Sequence, residues 1–426
     1  MTGPGVVEVD VRPDIDFHDL DRFPVECREW FRWLRAHEPL SHHPGPVDDP
    51  DNSGFWSLVR YADLKRAHRD WSRLSNEGAD GPGSEVGGDT IRDMTRAEGV
   101  GSMMILTDPT RHTAYRKLVN RGFTPRGIAA LEPRLRVITR SAVDAVAGRG
   151  GCDFVQDLAA MLPLQAICEL LGVPEGERLQ LVDWTNAITS PYGADAEETR
   201  TAVAEARQRV YAYAAELGAR KRANPEADLT SRILLGEVTL ADGTEHRLSE
   251  FEFEMFMLLL IFAGNETTRS AISGAMLAFS EHPDEWDRLL ADPRLIPTAV
   301  EEILRYVSPV GHMRRTVTEA VEFQGRRLGR GERVVMWYPA ANRDEAVFGP
   351  TAEQFDIGRR PNEHMAFGAN GPHFCLGAWL ARLELRLMLE ELTTRLPDIR
   401  VSGDPVWARS NIILGPLHLP VAFSPR

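Results

Sequence analysis

Cys375 has the most specific chemical surroundings of any residue in the chain. It stands in Phe367-Gly368-Ala369-Asn370-Gly371-Pro372-His373-Phe374-Cys375-Leu376-Gly377, and an amphipathic helical pattern starts just after it, near Ala378. A cysteine at a helix start meets backbone N–H groups and the positive end of the helix dipole, and both favour a thiolate. Gly368, Gly371 and Gly377 would let the backbone pass close to something flat. A lone cysteine is more often an inert buried residue, so these surroundings are what make it a candidate. A second constellation is Ala263-Gly264-Asn265-Glu266-Thr267-Thr268, preceded by residues 255–262, which are apolar on every side. A carboxylate and hydroxyls placed in such a helix cost several kcal/mol unless they find partners or a use. A threonine that bonds back to an upstream carbonyl beside Gly264 can bend a helix and open a groove for water and protons. Glu302 and Arg305 lie three residues apart, side by side on one helix face. Alone, that spacing commonly marks a solvated surface.

The elements that must hold these residues are mostly helical. Leu131, Leu135, Ile138, Ala142 and Val146 share one helix face, as do Leu376, Leu380, Leu383 and Leu387. Ser249 and Glu252 form a capping box that starts the helix carrying Glu266. Strand-like pieces are short: residues 54–60, 321–324, 333–338 and 410–423, the last turning at Gly415-Pro416. The loop from Gly78 to Gly88 has no strand before it, so it reads as a lid rather than a phosphate cradle. No linker, repeat or low-complexity tract divides the chain, and residues 1–426 read as one domain.

Composition narrows the function classes. Lys and Arg number 49 against 63 Asp and Glu, a net charge of −14 that argues against a generic nucleic-acid binder. Within this acidic chain residues 109–126 carry Arg111, Arg116, Lys117, Arg121 and Arg126 and no carboxylate, a local positive patch. The four cysteines follow no metal or disulfide spacing, which fits a reducing compartment. The longest apolar run, 255–263, falls far short of a membrane span, and the expectation is a soluble cytoplasmic protein with no membrane partner.

The Cys375 loop resembles that of the cytochrome P-450 family, the heme-thiolate monooxygenases, whose usual pattern is Phe-Gly-x-Gly-x-His-x-Cys-x-Gly. This chain has one extra residue between Phe367 and Cys375, and together with Gly264-Asn265-Glu266-Thr267-Thr268-Arg269 it is similar to actinobacterial members acting on sterols or methyl-branched lipids. The likeness runs from residues 31–35 through 122–125 to 410–411. It implies a mainly α fold, a helical bundle around a buried heme b (iron protoporphyrin IX) with small accessory β-sheets. It makes Cys375 the metal ligand, in a loop with Phe367, Gly368 and His373. His112, Arg116, Arg315 and His364 are nominated for the heme propionates, with Arg314 a neighbouring choice of register. Glu266 and Thr267 become the catalytic acid–alcohol pair that relays protons to dioxygen. Glu302 and Arg305 are joined by Arg359 in a structural triad. Leu259, Phe262, Ala263, Val310, His312, Ile412 and Ile413 line the substrate pocket by family position, His312 offering a hydrogen bond. The implied activity inserts one atom of O2 into a lipophilic small molecule, a terpenoid, steroid or other natural product. Two electrons come from a ferredoxin and its reductase, the ferredoxin docking on the basic run 109–126 of a monomeric enzyme. Rival readings are a peroxide-driven or oxidative-coupling heme-thiolate enzyme, which Glu266 and Thr267 weigh against, and a non-catalytic heme-binding sensor.

Overall fold

The computed structural model describes residues 11–46, 54–189, 197–240 and 242–425. Seven helices position the candidate site: α1 (Tyr61–Arg69), α2 (Pro109–Val119), α3 (Glu132–Ala147), α4 (Met161–Leu171), α5 (Glu250–Glu281), α6 (Ile296–Val307) and α7 (Ala378–Arg395). Their apolar stripes fall where the periodicity places them. Leu135, Ile138, Ala142 and Val146 of α3 and Leu380, Leu383 and Leu387 of α7 are buried.

The 32-residue α5 starts from the expected capping box. Ser249 Oγ accepts from the Glu252 N–H at 3.2 Å, and Glu252 returns the contact by accepting the Ser249 N–H at 2.8 Å. This helix is apolar all round in its first half because it passes through two cores. Phe256, Met257, Leu260 and Ile261 pack in one cluster with Leu164 and Ile167 of α4. Ala271, Ile272, Ala275 and Phe279 pack in another with Ala299 and Ile303 of α6 and Leu385 and Met388 of α7. A helix held at both ends by separate apolar clusters is a rigid place to mount chemistry. The helix runs without a break from Glu250 to Glu281 through Gly264. A Cβ at Gly264 would lie 2.7 Å from Ile167 Cγ1; the glycine lets α4 approach closely.

The main sheet has five strands, β1 (Leu40–His43), β2 (Phe55–Leu58), β3 (Leu74–Ser75), β4 (His312–Val317) and β5 (Arg333–Trp337), in the order β1-β2-β5-β4-β3. Strands β2 and β5 run parallel, and the other pairs are antiparallel. Two expectations are corrected here. Pro416 does not turn the C-terminal hairpin: Val406–Trp407 pairs with Pro416–His418, so Pro416 opens the returning strand. The loop from Gly78 to Gly88 is not a free lid. Glu77 accepts the Gly83 N–H, Arg330 donates to Ala79 O, Arg314 donates to Gly88 O, and Val86–Gly87 pairs with Met94–Thr95. Among the described residues one helical stretch, Phe154–Leu171, is long and apolar enough to cross a membrane, and most of it is buried in the core.

Candidate active site

The loop from Phe367 to Gly377 closes on itself despite its extra residue. The Cys375 N–H donates to Phe367 O at 2.9 Å and the Phe374 N–H to Gly371 O at 3.0 Å. Gly368 (φ +81°) and Asn370 (φ +48°) take up the left-handed backbone this path needs. The Arg382 guanidinium lies 4.5 Å from the Phe367 ring centroid. Cys375 keeps exposed surface although protein surrounds it on all sides, which puts its side chain on the wall of an internal space. Burial pushes the Cys375 thiol up, and the Gly377 N–H with Arg116 and Arg382 pulls against it without winning. A coordinated metal cation would deprotonate such a thiol outright.

Around this wall converge groups suited to an anion. Arg116, half-buried on α2, donates to Pro372 O at 3.0 Å and so ties α2 to the cysteine loop. His112, one turn earlier, lies against His373 with tilted rings whose centroids are 4.0 Å apart. His112 Nδ1 and His373 Nε2 are enclosed and have no hydrogen-bond partner. Burial, then Arg116 and Arg315, brings His112 down to about 4, and His373 is held well below its ordinary value by burial and the same cationic neighbours. Strand alternation puts the two arginines on opposite sides of β4. Arg314 donates to Asp93 at 2.6 Å and to Gly88 O, on the loop side, whereas Arg315 faces His68, His112 and His373 and feels Asp89 and Asp108. Asp108 is taken up by Ser75 Oγ and the Asn76 N–H, and burial pushes Asp89 towards its neutral form. Two guanidiniums and two orphaned imidazole nitrogens beside an accessible thiol fit a flat dianionic cofactor bearing a metal, as heme is. Arg116, Arg315, His112 and His373 would hold its propionates and Cys375 its iron.

His364 does not join them. Its Nδ1 accepts the Ala366 N–H at 3.2 Å and its Nε2 meets Glu301 at 3.1 Å, so both nitrogens are spent. Glu301 also takes two hydrogen bonds from Arg382, at 2.7 and 2.9 Å. Burial raises the Glu301 pKa, but Arg382 and His364 outweigh it and bring it down to about 2. Glu301 thus braces α6 against α7 through Arg382, and His364 ties the segment ahead of the cysteine loop to α6. His312 is likewise corrected. It is fully buried, its Nδ1 meets Asn411 O at 2.9 Å, its Nε2 accepts the Ile91 N–H at 3.3 Å, and nothing remains to offer a substrate.

On α5, Leu259, Ala263 and Thr267 recur every four residues and so share a face. Ala263 is exposed in mid-helix between buried Ile261 and Asn265, and Phe262, Gly264 and Thr267 are half-buried; this face too borders an internal space. Thr267 Oγ donates back to Ala263 O at 2.8 Å. Glu266 turns to the adjacent face, ion-paired with Arg269 and accepting from Asn265 Nδ2 at 3.1 Å, against a small cavity lined by Ser270, Ser410, Ile413 and Gly415. Val310 bridges to Ile413, which is buried, while Val310 and Ile412 keep partial exposure. Sequence reasoning missed Glu384, a fully buried carboxyl on α7 that burial pushes towards its neutral form, with the Thr268 side chain alongside. Its signal was an acid on the apolar side of an amphipathic helix.

The triad assembles as expected. Arg305 forks onto Glu302 at 2.7 and 2.8 Å, and Arg359 Nε lies 3.1 and 3.2 Å from the two Glu302 oxygens. The arginines also donate to the carbonyls of Asn342, Ala352, Thr351 and Gln354, and all three side chains are buried.

Comparison with known proteins agrees with this geometry. Residues 83–396 match the family model described as Cytochrome P450. The chain is 41% identical over 414 residues to the protein named cytochrome P450 126 of Mycobacterium tuberculosis, covering 96% of this chain and 97% of that one. It is 38% identical over 423 residues to the methyl-branched lipid omega-hydroxylase of the same organism, covering 96% and 95%. It superposes with a TM-score of 0.86 and 35% identity on the Mycobacterium marinum cytochrome P450 CYP268A2 in complex with pseudoionone, covering 97% of this chain and all of that one. A mainly helical frame with small sheets, a cysteine at an internal wall beneath cationic and imidazole donors, and these relatives make the chain a member of the cytochrome P450 family, a heme-dependent monooxygenase.

Proposed function

We propose that this enzyme hydroxylates a lipophilic polycyclic or methyl-branched molecule, a terpenoid, steroid or related lipid, at an unactivated C–H bond. The observation that carries the reading is the shared face of Leu259, Ala263 and Thr267, an apolar wall that runs directly into a hydroxyl. An apolar wall with one polar group suits a ligand bound by burial of its carbon skeleton. The omega-hydroxylase relative and the pseudoionone complex support the same class. When bound, a thiolate-ligated heme activates O2 for C–H insertion, the thiolate of Cys375 raising electron density at iron. The chain's own part is to exclude water with the α5 face, to hold Thr267 Oγ beside the reacting centre, and to pass protons inward from Glu266, whose small cavity leads to the C-terminal hairpin. Titration of the oxidised protein with steroids, terpenoids and branched fatty acids should give a high-spin shift and hydroxylated product, and small charged acids should give neither; the reverse pattern refutes the substrate class. In the same assay Thr267→Ala should keep the spin shift and divert electrons to peroxide, slowing proton-dependent product formation on the order of 100-fold.

Electrons enter, on this reading, from a small acidic ferredoxin fed by its reductase. Arg116 anchors α2 to Pro372, which leaves Lys117 and Arg121 exposed beside the cysteine loop, while Arg111 is spent on Gly101 O. An open groove of about 270 Å³ lies nearby, walled by Pro125, Ile128, Pro297, Val300 and the exposed Trp379, four residues past Cys375. Charge reversal at Lys117 and Arg121 should slow reduction several-fold at low salt and little at high salt, where such steering is screened; salt-independent, unaffected reduction counts against this face.

A further inference from the structure

The donor set for the heme carboxylates is larger than the motif residues suggest. His68 on α1 and Tyr338, just after β5, are both buried, and Tyr338 Oη lies 3.1 Å from His68 Nε2 with the rings stacked 5.7 Å apart. The cysteine loop is built around His68. A Cβ at Gly371 would fall 2.2 Å from His68 O, and one at Gly368 would fall 3.2 Å from His68 Cε1. His68 feels Arg315 and is felt by His373, and Tyr338 feels Arg315 and Cys375, so the pair sits inside the anion-binding cluster. Burial and Arg315 bring His68 down to about 3, which makes the imidazole neutral. A neutral imidazole with its proton on Nε2 donates to Tyr338 Oη and leaves the phenol O–H free to donate onward. A buried hydroxyl beside the Arg315 guanidinium, with the Asp89 carboxyl also near, gains most by donating to a carboxylate.

We propose that Tyr338 is a heme-binding residue whose O–H donates to a propionate, and that His68 is the positioning residue that orients it. This rests on the assignment of Arg116, Arg315, His112 and His373 to the propionates. Three properties of the purified holoprotein test it: the propionate bending band in the resonance Raman spectrum, the rate of heme transfer to apomyoglobin, and the ferrous carbonyl spectrum. Tyr338→Phe, which keeps the ring packing, should shift the propionate band and speed heme loss about tenfold while leaving the thiolate-type carbonyl band intact. His68→Leu should behave like Tyr338→Phe, and His68→Gln, which keeps a donor near Nε2, should restore the parent values. A parental propionate band in Tyr338→Phe overturns the proposal, and faster heme loss without a band shift does so too, since that is what a packing role gives. A parent protein that holds no heme would instead overturn the cofactor assignment beneath it.

Discussion

Cys375→Ala is expected to abolish the long-wavelength Soret band of the ferrous carbonyl complex and to drop hydroxylation to background. Among the four cysteines, Cys27 and Cys168 are buried in apolar clusters and Cys152 is half-buried beside a terminal strand. None of these three shares the internal wall that carries Cys375, and none can take its place. The effect should be all or none because the axial sulfur sets the electronics of the whole reaction. Persistence of the parental carbonyl band in this variant would refute the assignment.

Glu302→Gln should be strongly destabilising, costing about 3–5 kcal/mol, the range for removing one partner of a buried ion pair. Its carboxylate is the only acid on both Arg305 and Arg359 among the ion pairs of the described residues, and it also accepts the Asp356 N–H at 2.9 Å and Asn362 Nδ2 at 3.1 Å. Neutralising it leaves two enclosed guanidiniums facing an amide. Glu301→Gln, one residue earlier, is the internal control. Its carboxylate is 30% exposed, and water can replace part of what Arg382 and His364 lose, so a cost nearer 1 kcal/mol is expected. Urea unfolding of both variants followed by circular dichroism measures the difference; equal midpoints would contradict the account. Because Arg359 precedes Cys375 by only sixteen positions, partial unfolding at the triad should also release heme.

What the sequence by itself determined was everything set by local pattern or by short spacing. The capping box at Ser249, the stripes of α3 and α7, the closure of the cysteine loop at a helix start, and the Glu302–Arg305 fork all depend on residues within about two turns of one another, and each is found. Tertiary structure decided what long-range neighbours do with a side chain. His312 and His364 carry ring nitrogens that a pocket could use, yet Asn411, Ile91 and Glu301, distant in sequence or on another element, consume them. The close approach of Ile167 to Gly264, and the reach of Arg330 and Arg314 to the Gly78–Gly88 loop, are likewise long-range. Arg315 is separated from Arg314 only by the alternation of β4 against β5, whose pairing register no single strand encodes. Most of all, His68 and Tyr338 are 270 positions apart and neither stands in a motif. Their meeting exists only because α1 and the end of β5 close over the same cysteine loop, and burial then obliges two polar groups to serve each other.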